Sequence, residues 1–296
     1  MSENETQASL QGQVLTGQIS DHNDEFVFVQ VAGQTAAVPL TEFTEVPATG
    51  SDVQLFVYTD MHDHLRGTTK LPLVRIDHYA FGTVTRKLPK LGVFVDIGLP
   101  DKDIVVSLDI LPEDPSIWPQ PNDRLLVSLT VDRKGRLWGQ LAGPDIVQAI
   151  ASPAKAGQRN QTIHGTVVRV RDVGVNVLTD DYQGAFIHYS EWFTQPRLGE
   201  QIEARVIGTT QHHGLNLSMK PMAYEEISDD AQMILAMLEQ TPGGVLPFSD
   251  KSTPEDIAAT FAISKGAFKR AVGNLLKQHR IEQKDGQLQL VTKDES

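Results

Sequence analysis

Residues 91–98 read LGVFVDIG, a run of alternating side chains that is enclosed by two glycines. The run follows FGTV at 81–84 and precedes VDRKGRL at 131–137. Alternation with a period of two is typical of a strand with one face toward a core. The segment therefore predicts a small domain built from strands and turns.

The same order of strands and turns recurs in the chain. A second copy starts with HGTV at 164–167, runs on to GAFIHYSE at 184–191 and closes with GLNLSMK at 214–220. A third, faint copy starts near Gly17 and includes FVFV at 26–29. Repetition at a domain-sized period predicts that one fold occurs three times. Each copy has the length of a five-stranded barrel, an architecture that commonly binds single-stranded nucleic acid.

The periodicity of the chain becomes helical after the third copy. Apolar residues at helical spacing predict a helix over 229–239, and Thr253 starts another with proline at its first position. Ser264 caps a further helix through about His279, and a turn at 285–286 joins two short strands. Three helices followed by a hairpin predict a winged helix.

The predicted fold class is therefore mainly β with a C-terminal α+β module: three tandem OB-fold barrels followed by a winged-helix domain. The predicted divisions are a flexible N-terminus at 1–11, a degenerate barrel at 12–75, a barrel at 76–144, a connector at 145–161, a barrel at 162–221 and a winged-helix domain at 223–296.

Composition limits the class of partner. The net charge is −12, which argues against a strongly basic nucleic-acid binder. Residues 76–150 carry only −2 and residues 151–222 carry +1, so a locally basic groove fits the second and third barrels. The chain has no cysteine, which excludes disulfides and thiolate metal sites and fits a cytoplasmic location. No membrane partner is expected.

Aromatic and basic residues are the candidates for RNA contacts in the first two barrels. Phe94 is predicted on the outer face of its strand, where it can stack on a base; the alternative is that it belongs to the core. Phe28 is the aromatic candidate of the first barrel. The basic candidates in the second barrel, for phosphate and cation–π contacts, are Arg86, Lys87, Lys90 and Arg136.

Further candidates lie in the third barrel and in the winged helix. His188 ends a strand and suits RNA, although a histidine at such a place is also commonly structural. The accompanying basic residues are Arg169, Arg171 and Arg205. In the helix that starts after Ser264, the candidates are Lys265, Lys269 and Arg270.

The sequence does not predict a catalytic or metal site. His62 and His64 share a strand face, but no third ligand stands at a metal-binding spacing. No phosphate-binding glycine loop and no nucleophile elbow occurs. We expect a protein without catalytic activity, cofactor or metal.

The second and third copies resemble the S1 RNA-binding domain, through LGVFVDIG and the D-x-x-G-R motif that ends at Arg136 in one and through H-x-S at 188–190 in the other. The complete layout resembles the conserved virulence factor B family, also called YitL-like, most closely at 87–99 and 264–273. This resemblance implies three S1-type domains, a winged helix and an RNA-binding regulator that acts after transcription and affects virulence.

The S1 pattern is incomplete in each copy. The second has Leu91 where the first aromatic falls and Val105 near the histidine position. The third has Asn176 in place of an aromatic and Leu215 at the arginine position. We therefore expect several weak sites that act in series on single-stranded RNA. The alternatives are a transcription regulator that binds duplex DNA through the winged helix and a scaffold for ribosomal or RNA-decay proteins.

Overall fold

The computed structural model describes residues 10–210, 213–221, 229–284 and 286–291. The chain forms two compact units, one ending at Met219 and the other starting at Lys220. The first unit contains three closed barrels, and the second contains the C-terminal helices and a three-stranded sheet. The predicted fold class is confirmed.

The three barrels share one strand order. The strands of the first barrel are β1 (Val14–His22), β2 (Phe26–Val31), β3 (Gln34–Pro39), β4 (Asp52–Thr59) and β5 (Leu65–Thr68). Those of the second are β6 (Ala80–Leu88), β7 (Gly92–Asp96), β8 (Ile104–Ser107), β9 (Arg124–Val131) and β10 (Leu137–Leu141). After the short helix α1 (Pro144–Ile150), the third has β11 (Thr162–Arg171), β12 (Gly174–Thr179), β13 (Gly184–His188), β14 (Gln201–Thr209) and β15 (Leu215–Ser218). In each, the fifth strand lies between the third and the fourth.

The glycine that begins the second strand is a steric requirement in two barrels. Gly92 has φ +133°, and a Cβ there would lie 2.0 Å from the Val106 carbonyl oxygen. Gly174 has φ +150°, and its Cβ would lie 2.2 Å from the Ile187 carbonyl oxygen. A side chain at either position would push the second strand away from the third.

Alternation in the second strand separates the core from the outer face, as predicted. Val93 and Val95 are fully buried inside the second barrel, whereas Asp96 is exposed. In the first barrel the valines of β2 face the core, and Phe26 and Phe28 are only half-buried on the other side.

The barrels of the first unit are packed together. Phe56 and Tyr58, on the outer side of β4, belong to the same apolar cluster as the core of the second barrel. Leu198, from the loop before β14, joins that cluster from the third barrel. Its neighbour Arg197 forms an ion pair with Asp123 of the second barrel, Nε to Oδ2 at 2.7 Å.

The second unit has the winged-helix order. Its elements are α2 (Asp229–Gln240), β16 (Val245–Leu246), α3 (Pro254–Phe261), α4 (Lys265–Lys277), β17 (Ile281–Lys284) and β18 (Gln287–Leu290). The hydroxyls of Thr253 and Ser264 accept backbone N–H bonds at the starts of α3 and α4, as the sequence predicted. The sheet order is β16-β18-β17.

Two predictions from the sequence concern segments that the structure describes only in part. The predicted flexible segment at 1–11 is described only for Leu10 and Gln11, and both of these residues are buried. The Gln11 side-chain oxygen accepts the Thr59 backbone N–H, which fixes it on the first barrel. Asp285 of the predicted hairpin turn lies outside the described residues. Within the part of the chain that is described, no helix has both the length and the apolar composition that a membrane crossing needs.

Candidate nucleic-acid interface

The barrels carry equivalent rows of side chains across their outer faces. The first strand of each barrel contains an irregularity of register at the same place, between Ile19 and Asp21 in β1 and at the corresponding points of β6 and β11. Beyond it, one residue from each of strands one, two, three and five is paired in register. We call these four residues the outer row, and the face formed by strands two and three is the one that binds oligonucleotides in barrels of this type.

The outer rows differ in composition. That of the first barrel is Asp21, Phe28, Ala37 and Arg66. That of the second is Arg86, Phe94, Val105 and Trp138. That of the third is Arg169, Asn176, Phe186 and Asn216.

Phe94 belongs to the outer row, on the face that the sequence predicted, but it is not the exposed ring that the sequence suggested. Its side chain is 9% exposed, and the Arg86 guanidinium carbon lies 3.9 Å from the ring centroid. This cation–π contact covers the ring. A base therefore reaches Phe94 only when Arg86 moves, or else it stacks on the guanidinium plane itself.

Arg136 is held at the edge of the same row. Its Nε and Nη2 atoms donate to one oxygen of Asp132, at 2.8 and 2.7 Å, and Trp138 Nε1 donates to that oxygen at 3.2 Å. Burial works to raise the pKa of Asp132, but the hydrogen bonds from Arg136 and Trp138 outweigh it and hold this pKa well below its usual range. The Arg136 guanidinium lies 5.4 Å from the Trp138 ring and is more than half exposed, so it can still meet a phosphate.

The lysine candidates of the second barrel lie beside the row. Lys87 is half-buried on β6, and Lys90 is exposed in the turn before β7. Lys87 is paired with Val93, the neighbour of Phe94, and Lys90 lies four residues before Phe94 in the chain; neither belongs to the outer row.

The candidates of the third barrel separate into two groups. His188 is exposed, its ring centroid lies 4.2 Å from that of Tyr189, and its Nδ1 accepts the Ser190 backbone N–H at 3.3 Å. The histidine is thus both a local cap and an accessible ring. Arg169 and Arg171 are exposed on β11. Arg205 lies on β14, where it is paired with Ser218 of β15, and it is outside the outer row.

Sequence reasoning missed two aromatic residues of the rows. Phe186 is half-buried on β13, and the Arg171 guanidinium lies 5.8 Å from its ring. Trp138 is half-buried on β10. The alternation of residues 184–188, which places Phe186 on the same face as His188, was the signal that could have found the first of them.

The second barrel packs against β4 of the first barrel, next to Arg66 of that barrel's outer row. Tyr58, which is paired with Arg66, is fully buried, and its hydroxyl donates to Asp101 of the second barrel at 2.7 Å. Burial, followed by the hydrogen bond to Asp101, raises the pKa of Tyr58. Lys102 of the second barrel donates to the Thr59 carbonyl at 2.6 Å. Phe28 itself stays half-buried.

Asp60 of the first barrel lies beside this contact between the barrels and accepts a hydrogen bond from Arg66 Nε at 3.0 Å. Burial works to raise its pKa, but hydrogen bonds from the backbone of His64 and His62 and from the Arg66 side chain lower the pKa to about 2. Because this pKa is depressed in the folded protein, the stabilisation is present above the unfolded value near 4 and is lost as the pH falls toward 2.

We therefore expect Asp60→Asn to lower the free energy of unfolding by about 1 to 2 kcal/mol at pH 7. The difference from the unmodified protein should shrink between pH 5 and pH 2, since other carboxylates titrate equally in both proteins. Urea unfolding at a series of pH values measures it. A difference that stays constant over this range would show that the charge of Asp60 has no stabilising role.

The basic candidates of the second unit lie on α4. Lys269 and Arg270 are exposed, and Lys265 is half-buried at the first position of the helix. A hydrogen bond from Gln283 is the main cause that lowers the pKa of Asp250, and the charge of Lys269 adds to it, so an acidic group lies within the electrostatic reach of Lys269.

Comparison with known proteins gives consistent matches along the chain. Family models match as an S1 domain at 11–70, the CvfB first S1-like domain at 79–140, the second domain of virulence regulatory factor CvfB at 147–221 and a CvfB-like winged helix domain at 232–290.

Individual relatives cover most of the chain. The protein YitL of Bacillus subtilis strain 168 is 37% identical over 276 residues, which is 93% of this chain and 92% of that protein. Conserved virulence factor B of Staphylococcus aureus strain N315 is 37% identical over 245 residues, 82% of this chain and 81% of that protein. A crystal structure of a multidomain protein with nucleic acid binding domains from Streptococcus pneumoniae TIGR4 is 44% identical, with a TM-score of 0.71 over 96% of this chain and 99% of that one.

Proposed function

The chain belongs to the conserved virulence factor B family, and on that premise we propose that it is a non-catalytic regulator that binds single-stranded RNA across its second and third barrels. The observation that carries the proposal is that an arginine contacts an aromatic ring of the outer row in two barrels: Arg86 lies on Phe94 in the second barrel, and Arg171, which is outside the row, lies beside Phe186 in the third. Stacking on such groups tolerates every base, and arginines track the phosphates.

The packing of the barrels supports binding in series. The second and third barrels share an apolar cluster and the Asp123–Arg197 ion pair, so their positions relative to each other are held within one compact unit. Two weak sites held at a defined separation raise the effective concentration of the second contact once the first has formed. The near-neutral charge of this part of the chain predicts few phosphate contacts and a shallow salt dependence.

We expect Phe94→Ala and Arg136→Ala each to weaken the affinity for single-stranded RNA by about 5- to 10-fold. Fluorescence anisotropy with a labelled, unstructured oligoribonucleotide at two salt concentrations measures this. Arg136→Ala should also reduce the salt dependence, since a phosphate contact is removed. Lys70→Ala, which removes an exposed charge from the first barrel, is the control and should leave affinity almost unchanged. Unaltered binding by both the Phe94 and the Arg136 variants, with folding confirmed by circular dichroism, would remove the second barrel from the interface.

A second candidate function is duplex DNA binding through the winged helix, which the exposed Lys269 and Arg270 of α4 favour. The same titration with duplex DNA tests it, with Lys269→Ala and Arg270→Ala combined. A preference for duplex DNA that this double variant abolishes would place the activity in the second unit. Binding to neither nucleic acid, together with co-purification of ribosomal or RNA-decay proteins, would favour a scaffold, as the acidic net charge also does.

A further inference from the structure

The outer row of the third barrel places one aromatic ring between two amides. Asn176 on β12 and Asn216 on β15 are each paired in register with Phe186 on β13. Neighbouring strands lie about 4.8 Å apart, so both amides are within reach of the edge of a base that is stacked on the ring. In the second barrel, the three corresponding positions are Phe94, Val105 and Trp138, which present no amide.

The Phe186 ring packs over the backbone of Gly174. A Cβ at Gly174 would lie 2.6 Å from Phe186 Cζ, so the ring fills the space that a side chain would take at that glycine. The Arg171 guanidinium lies 5.8 Å from the ring centroid. The ring is only half-buried, so part of its surface remains accessible to a base.

The Asn216 amide has a defined orientation. Its Nδ2 donates to the Thr209 carbonyl oxygen at 3.1 Å. Because a carbonyl only accepts hydrogen bonds, the nitrogen of this amide must face Thr209, and Oδ1 is turned to the other side as an acceptor. An acceptor at this place is matched by an N–H donor on a ligand.

This orientation distinguishes the two pyrimidines. Cytosine carries an exocyclic amino group, which donates, at the place where uracil carries a carbonyl oxygen, which accepts. The amino group can donate to Asn216 Oδ1, whereas the carbonyl of uracil would oppose one acceptor with another. The two bases are almost equal in size, so stacking on Phe186 does not separate them.

Resting on the proposed function, we infer that the third barrel selects an unpaired base with an exocyclic amino group, cytosine or adenine, over uracil. The base stacks on Phe186, and the amides of Asn216 and Asn176 read its edge. The second barrel, whose row is apolar and cationic, binds without this selection. The base preference of the whole protein therefore resides in the third barrel.

The test compares oligocytidine and oligouridine of equal length, because their bases differ in the groups that the amides would read. We expect the full-length protein to bind oligocytidine about 3- to 10-fold more tightly than oligouridine, the range of one or two solvent-accessible hydrogen bonds. Asn216→Leu and Asn176→Leu should bring the two affinities together. Phe186→Ala should weaken both, and Phe186→Leu, which retains apolar bulk, should do the same through the lost stacking.

Gln140→Leu is the matched control, since it removes an exposed amide from β10 of the second barrel and should leave the cytidine-to-uridine ratio unchanged. Equal and tight binding of both oligonucleotides by the unmodified protein would overturn the selection but not RNA binding. A preference that survives in both folded asparagine variants would likewise overturn it. Absence of binding to either oligonucleotide would instead defeat the proposed function, and this inference with it.

Discussion

Replacing Arg197 with alanine is expected to lower the free energy of unfolding of the first unit by about 3 kcal/mol. The Asp123 carboxylate is 5% exposed and receives both Arg197 Nε and Nη2, at 2.7 and 2.8 Å. Removing the guanidinium leaves a buried carboxylate without its charged partner, which costs far more than the loss of a surface ion pair. Urea unfolding, followed by circular dichroism, measures the change.

The Lys155–Asp181 pair provides a matched control for this experiment. Its Nζ–Oδ2 distance is also 2.7 Å, but both side chains are about two-thirds exposed. Lys155→Ala should therefore cost less than about 1 kcal/mol. If Arg197→Ala costs no more than Lys155→Ala, the ion pair does not hold the second and third barrels together. Arg197→Lys, which retains the charge but not the two-pronged contact, should lie between them.

Phe268→Ala is expected to destabilise the second unit by about 3 to 5 kcal/mol. Phe268 is fully buried on α4, with its ring centroid 5.1 Å from that of Phe261 and 6.3 Å from that of Phe248. The alanine leaves a cavity in a small core, where such a loss approaches the total stability. Scanning calorimetry should show the unfolding transition of the second unit at a lower temperature, with that of the barrels retained.

This variant also separates the contributions of the two units to RNA binding. Lys277→Ala, at the exposed end of the same helix, is the control and should unfold almost as the unmodified protein does. If the barrels carry the binding, RNA affinity should persist at a temperature at which the second unit of Phe268→Ala is already unfolded. Loss of affinity at that temperature would show that the winged helix is required.

Side-chain periodicity predicts most of the architecture. The alternation in β2 and β7 orients their valines inward, and the capping residues Thr253 and Ser264 mark the helix starts that the structure shows. These features depend on residues close together in the chain, so they can be read without a fold. The repeats then imply that the strand order of one barrel holds for the others, as the structure shows.

The exposure of a single ring could not be predicted in the same way. Phe94 is on the expected face, but Arg86 covers it, because a bulge in β6 brings the two residues into register. Tyr58 is on the outside of its own barrel and yet fully buried, because the second barrel packs over it. Phe186 has Asn176 as its partner on the preceding strand, and it acquires Asn216 as a second neighbour from β15, which is not consecutive with β13 in the chain.

The sequence by itself determined the three barrels, the winged helix and the faces of the strands, since each follows from local periodicity and turn chemistry. Only the tertiary structure decided which outer faces are open: that of the first barrel is partly covered by the second, and that of the third offers a ring between two amides. The physical reason is that burial and cross-strand pairing depend on contacts between residues far apart in the chain, and these contacts leave no periodic signal in the sequence.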